Sequence, residues 1–181
     1  SSTTDMITFK DHPYLLGFGI TGLVHDAIGG WIAAGQNLYL EEYGPYPAGS
    51  EISQIYRSPA VDGPWLQVFT NPDTNSRFHQ LKGFSSAPID DAITSDVWIA
   101  CGGVGTAADA WYSIDNGATW TQVTIPTDAP TIYSVGLVER GGQMCWFWGC
   151  KGRIFISPSL HSDSWEETPL EPHDQAMDIV S

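Results

Sequence analysis

Basic residues are scarce in this chain: Lys and Arg number 7 against 21 Asp and Glu in 181 residues, a formal net charge of −14. An acidic field of one sign repels phosphate backbones and anionic headgroups, which argues against nucleic acid as a partner and against docking on acidic membranes. Cysteine is equally sparse. Cys101, Cys145 and Cys150 are too few for a disulfide scaffold and read as free buried thiols. Cys145 and Cys150 lack a second pair and His161 stands at no finger-like spacing, so no zinc site is expected. No apolar run reaches transmembrane length, and the first residues lack the basic region and apolar core of a signal peptide. Gly102-Gly103-Val104-Gly105 follows a strand-like run but lacks Lys-Ser/Thr and opens no helix, so no phosphate loop and no cofactor is expected.

What the chain has is turn chemistry and aromatics, with 19 Gly, 12 Pro and 8 Trp. That composition predicts many short strands separated by turns. Ser113-Ile114-Asp115-Asn116-Gly117-Ala118-Thr119-Trp120 is the sharpest signal. Gly accepts positive φ, and Asp or Asn can hydrogen-bond its own backbone, so the octet predicts a hairpin. Ser58 to Trp65 repeats the Ser-to-Trp spacing, and Ser157 to Trp165 repeats it with one extra residue. Other segments keep the same register. Trp31-Ile32-Ala33-Ala34-Gly35 matches Trp98-Ile99-Ala100-Cys101-Gly102, and Trp65-Leu66-Gln67-Val68 matches Trp120-Thr121-Gln122-Val123.

Three units follow, over about 20–70, 84–125 and 131–170, each read as a four-stranded antiparallel meander. Residues 39–47 and 71–82 read as long exposed connections. Residues 174–181 echo the first strand of a further unit. The expected fold is all-β: a single β-propeller domain or propeller segment over 1–181, of about three blades plus flanking strands. Propellers close with about four to eight blades, so another protomer or protein segment is expected to complete the ring.

The octet resembles the Asp-box, or BNR repeat, of sialidase-like propellers and phage tail proteins. The resemblance implies that Ser113, Asp115, Gly117, Thr119 and Trp120 are structural: the Asp fastens the turn and the Trp packs into the blade. Sialidase chemistry in that family clamps a carboxylate with three arginines. The chain's Arg57, Arg77, Arg140 and Arg153 do not occupy that context, so no sialidase and no catalytic residues are expected. The resemblance implies a non-catalytic structural or recognition module, with a virion or tail component among the settings.

Candidate ligand contacts are Tyr39, Tyr43 and Tyr46, whose rings suit sugar stacking or protein contact, and Asp26 and Asp91 near the first strands of two units. Asp90 and Asp178 belong to the same set of carboxylates that first strands would bring toward a central channel. Such clustering opens an alternative, a glycan-binding lectin or a glycoside hydrolase. A surface glycan or host receptor is the expected ligand class.

Overall fold

The computed structural model describes residues 18–25, 30–38, 51–73, 76–90, 93–104 and 107–169. Their twelve strands form three four-stranded sheets, each a simple meander of antiparallel neighbours. The first sheet contains β1 (Phe18–His25), β2 (Trp31–Leu38), β3 (Glu51–Ser58) and β4 (Leu66–Thr70). The second contains β5 (Phe78–Pro88), β6 (Thr94–Val104), β7 (Ala107–Ser113) and β8 (Thr121–Gln122). The third contains β9 (Ile132–Arg140), β10 (Gln143–Cys150), β11 (Arg153–Ser157) and β12 (Glu166–Pro169).

Each sheet's first strand runs beside the first strand of the next: β1 packs on β5, and β5 on β9. The middle sheet is therefore covered on both faces. That explains why β6 reads Val97-Trp98-Ile99-Ala100-Cys101-Gly102-Gly103, almost continuously apolar, instead of alternating. Ile32, Ala34 and Ile55 of the first sheet meet Phe78, Leu81 and Ala100 of the second in one buried cluster. Val97, Ile99 and Tyr112 meet Val135, Trp146, Trp148 and Phe155 of the third in a larger one.

The beginning of the second sheet departs from the sequence reading. Residues 71–82 are not one exposed connection, because Phe78–Lys82 opens β5, with Phe78 fully buried and Leu81 nearly so. The unit therefore starts before residue 84. Two bulges hide this strand: register shifts between Phe78 and Gln80 and between Phe84 and Ala87 break the period of two. Asp90 lies beyond the strand in the β5–β6 turn, where its Oδ1 accepts the Ile93 N–H at 2.9 Å, so it does not project from a first strand. Trp65, Trp120 and Trp165 each sit one residue before a fourth strand.

Packing between sheets should dominate stability. Trp146 is fully buried, donates its indole N–H to the Pro88 carbonyl at 2.7 Å and meets the Phe84 ring edge-on at 5.0 Å. Trp146→Ala is expected to cost about 3–5 kcal/mol in chemical denaturation. Leu66→Ala, at a residue 70% exposed, should stay within about 0.5 kcal/mol of the parent.

Candidate functional site

The octet at 113–120 forms a closed hydrogen-bonded turn between β7 and β8. The Ser113 hydroxyl donates to Asp115 Oδ1 at 2.7 Å and accepts the Gly117 N–H at 2.8 Å. Asp115 accepts the Thr119 N–H at 2.9 Å on Oδ1 and the Thr119 hydroxyl at 2.6 Å on Oδ2. Trp120 returns its indole N–H to the Gly117 carbonyl at 3.2 Å. Desolvation pushes the Asp115 carboxyl upward, but the hydrogen bonds from Thr119, Ser113 and Ala118 outweigh it and hold the group below its ordinary 3.8. Gly117 has φ +80°, and a Cβ there would stand 2.6 Å from Ile32 Cδ1 of the first sheet. The turn therefore touches the neighbouring sheet. Trp120 also reaches that sheet, with its ring 6.4 Å from Phe69.

At the opposite end of the same seam lies a group that sequence reasoning passed over. Asp109, only 6% exposed, accepts the Ser76 hydroxyl at 2.7 Å and the Trp111 indole N–H at 2.9 Å, and takes a short hydrogen bond from the Asn71 side-chain amide. Asn71 and Ser76 flank the passage from the first sheet to the second. Beside them, the Ser53 hydroxyl donates to the Ser76 carbonyl at 2.7 Å and accepts the Phe78 N–H at 3.0 Å. The available signal was a charge inside a short apolar strand, two residues before a Trp on the same face.

Near this end His79 lies against the Tyr133 ring, with centroids 4.9 Å apart. Burial and then the Arg77 charge hold the His79 imidazole below its ordinary value, against a hydrogen bond to the Gly103 backbone. The ring is therefore neutral near pH 7. At the second seam the Tyr112 hydroxyl and His161 Nε2 are 2.7 Å apart, and the Val135 N–H donates to Gln80 Oε1 at 2.7 Å.

A groove of about 490 Å³ opens between the first two sheets at the octet's end, bordered by His25, Lys82, Ser85, Asp96, Trp98 and Asn116. A second, of about 650 Å³, lies between Arg57, Pro59, Pro64 and Leu66 of the first sheet and Ala118 of the octet. Two smaller ones, of about 380 and 370 Å³, lie along Ala107–Thr127 and between β5 and β9. Asp26, Tyr39, Tyr43, Tyr46 and Asp91, the sequence-based ligand contacts, lie outside the described residues, as do Asp178 and residues 174–181. All three cysteines are free and buried. Burial pushes the Cys101 thiol well above its usual range and the Cys150 thiol up to about 12, which leaves both unreactive at neutral pH. Among the described residues no His, Cys, Asp and Glu side chains gather as a metal-binding set.

No protein-family model matches this chain, and no curated protein does. Among solved structures it is similar to an alpha-L-arabinanase from Penicillium chrysogenum complexed with arabinobiose, at 15% identity and a TM-score of 0.51. The match covers 90% of this chain and 52% of the arabinanase, so the chain spans about half that enzyme's length. At this identity the likeness shows the fold alone. The three sheets are blades of a β-propeller. The Asp-box kinship stays a resemblance of the octet.

The depressed Asp115 carboxyl predicts a signed pH effect. A folded-state value below the unfolded one adds stability that is complete above about pH 4 and is lost as the pH falls through the folded value. Asp115→Asn should therefore be less stable than the parent at neutral pH, with the gap narrowing in acid. Urea denaturation of both proteins across that range checks this, and a gap independent of pH contradicts it.

Proposed function

We propose that the chain is a non-catalytic structural and recognition module, a propeller segment that offers inter-blade grooves and loops to a ligand and is completed by another protomer or protein segment. The fate of the carboxylates carries this reading. Glycoside hydrolysis needs two carboxyl groups facing each other across a cleft, about 5–10 Å apart. Asp109 and Asp115 are instead occupied by fixed donors within the blades. Asp128 and Glu167 pair with Arg153, and Glu166 with Arg140. Among the described residues, the four grooves above are bordered by one carboxylate, Asp96. A lone carboxylate supports binding better than acid–base hydrolysis.

The second reading is a carbohydrate-active enzyme, and the arabinanase fold likeness favours it. It requires a second carboxylate beside Asp96 or in the channel. A virion or tail setting belongs to the first reading and rests on the octet's resemblance.

The blade geometry supports completion of the ring: the first and third sheets each pack on the second, and a propeller buries the remaining faces by closing. The test joins turnover to solution mass. Incubation with linear arabinan and other polysaccharides should release no reducing sugar, and light scattering of the folded protein should exceed its 19.7 kDa chain mass. Release of sugar that Asp96→Asn abolishes would establish the enzyme reading. A folded species of single-chain mass would remove completion by a second copy.

A further inference from the structure

The groove at the octet's end of the first seam is the place where four separate elements bring side chains of unlike chemistry together. His25 comes from the end of β1, Lys82 and Ser85 from β5, Asp96 and Trp98 from β6, and Asn116 from the β7–β8 turn. Its volume of about 490 Å³ falls within the ~300–1,000 Å³ of small-ligand sites. Trp98 is half-buried and packs on the inter-sheet core while also bordering the groove. Its six-membered ring lies over Gly83, its cross-strand partner, where a Cβ would stand 2.2 Å from Trp98 Cζ3. Only glycine at 83 lets the indole lie flat in that position. His25 is set by the Trp31 ring, edge-on at 5.1 Å.

The backbone around the groove is strained in a way that the rest of the described chain is not. Among the described residues, the non-glycine residues with φ in the left-handed region are Ser86 at 52° and Asn116 at 57°. Asn116 borders the groove, and Ser86 directly follows Ser85 on its wall. The Ser86 bulge is held by its N–H donating to Asp96 Oδ1 at 3.1 Å, so the groove carboxylate fixes the bulge on its own wall, in the second sheet. Asn takes this region readily in a turn, but a serine there costs about 1–3 kcal/mol, and such residues gather where side chains are re-aimed toward a ligand.

We propose that this groove is a binding site for a neutral saccharide, resting on the recognition reading above and locating it. A flat indole suits the C–H face of a sugar ring. His25, Ser85, Asp96 and Asn116 offer donors and acceptors at the rim. Among the described residues of the groove, Lys82 and Asp96 contribute one charge of each sign, a balance that suits an uncharged ligand, and the acidic surface as a whole disfavours anions. The site lies at the octet's end of the sheets, away from the buried Asp109 group and the His79–Tyr133 pair.

The experiment titrates the chain with maltose, cellobiose and lactose, and with sialyllactose as the anionic control, following backbone and indole amide resonances. A neutral disaccharide should shift the Trp98 indole N–H and the Asn116 side-chain amide. Asn116→Gly keeps the left-handed backbone while removing the side chain, and it should weaken binding roughly tenfold, as should His25→Ala. Trp98→Ala is avoided because the ring also supports the core. Shifts that map elsewhere, or both variants binding as the parent does, overturn the groove while leaving recognition standing. Silence with every neutral probe, or tighter binding of sialyllactose than lactose, overturns the neutral-saccharide assignment. Cleavage of a probe would instead sink the recognition reading on which the site rests.

Discussion

A four-stranded sheet with two apolar faces cannot bury either alone, and that constraint shapes every blade here. The middle sheet is solved on both sides, with Ile99, Trp146 and Trp148 in one seam and Ile32, Phe78 and Leu81 in the other. Apolar packing of this kind is permissive about register. The seams acquire their register from hydrogen bonds that cross them, because a buried donor placed opposite the wrong acceptor is costly. At the first seam these are the contacts of Asn71 and Ser76 with Asp109, and at the second the Trp146–Pro88 and Leu160–Ile89 bonds. Buried polar groups thus convert a stack of greasy sheets into a particular arc.

The octet takes a different meaning in this setting. Within its blade it closes a hairpin, as the Ser113, Asp115 and Thr119 hydrogen bonds show. Between blades it acts again. Gly117 lies against Ile32 and Trp120 packs near Phe69, so the same turn that ends one hairpin rests on the neighbouring sheet. Asn116, held at positive φ by that turn, then borders the groove between them. A local fastener in this way sets the geometry of a seam, and the seam sets the wall of a site.

What could be read from the chain divides along the same line. The octet was legible because every partner lies within a few residues and Asn-Gly declares the turn. The meander was legible from the repeated Trp-Ile-Ala and Trp-x-Gln-Val registers. The start of β5 was not, because two bulges and the polar His79, Gln80 and Lys82 erase the alternation that marks a strand. Asp109 looked like an incidental charge because its partners Asn71 and Ser76 stand 38 and 33 positions away. The groove was invisible for the same reason, being assembled from two sheets and one turn. Tyr39, Tyr43 and Tyr46 follow from local composition, and Asp26 and Asp91 from their place near first strands; neither signal carries information about which seam a side chain reaches.

The central claim is that buried hydrogen bonds across the seams fix how the blades meet. A double-mutant cycle on Asn71→Ala and Asp109→Ala, read by equilibrium unfolding, tests it most directly. If the amide and the carboxylate act as one clasp, either single change should cost most of what both cost together, leaving a coupling of about 1 kcal/mol or more. Additive losses, with no coupling between the two sides of the seam, would contradict it.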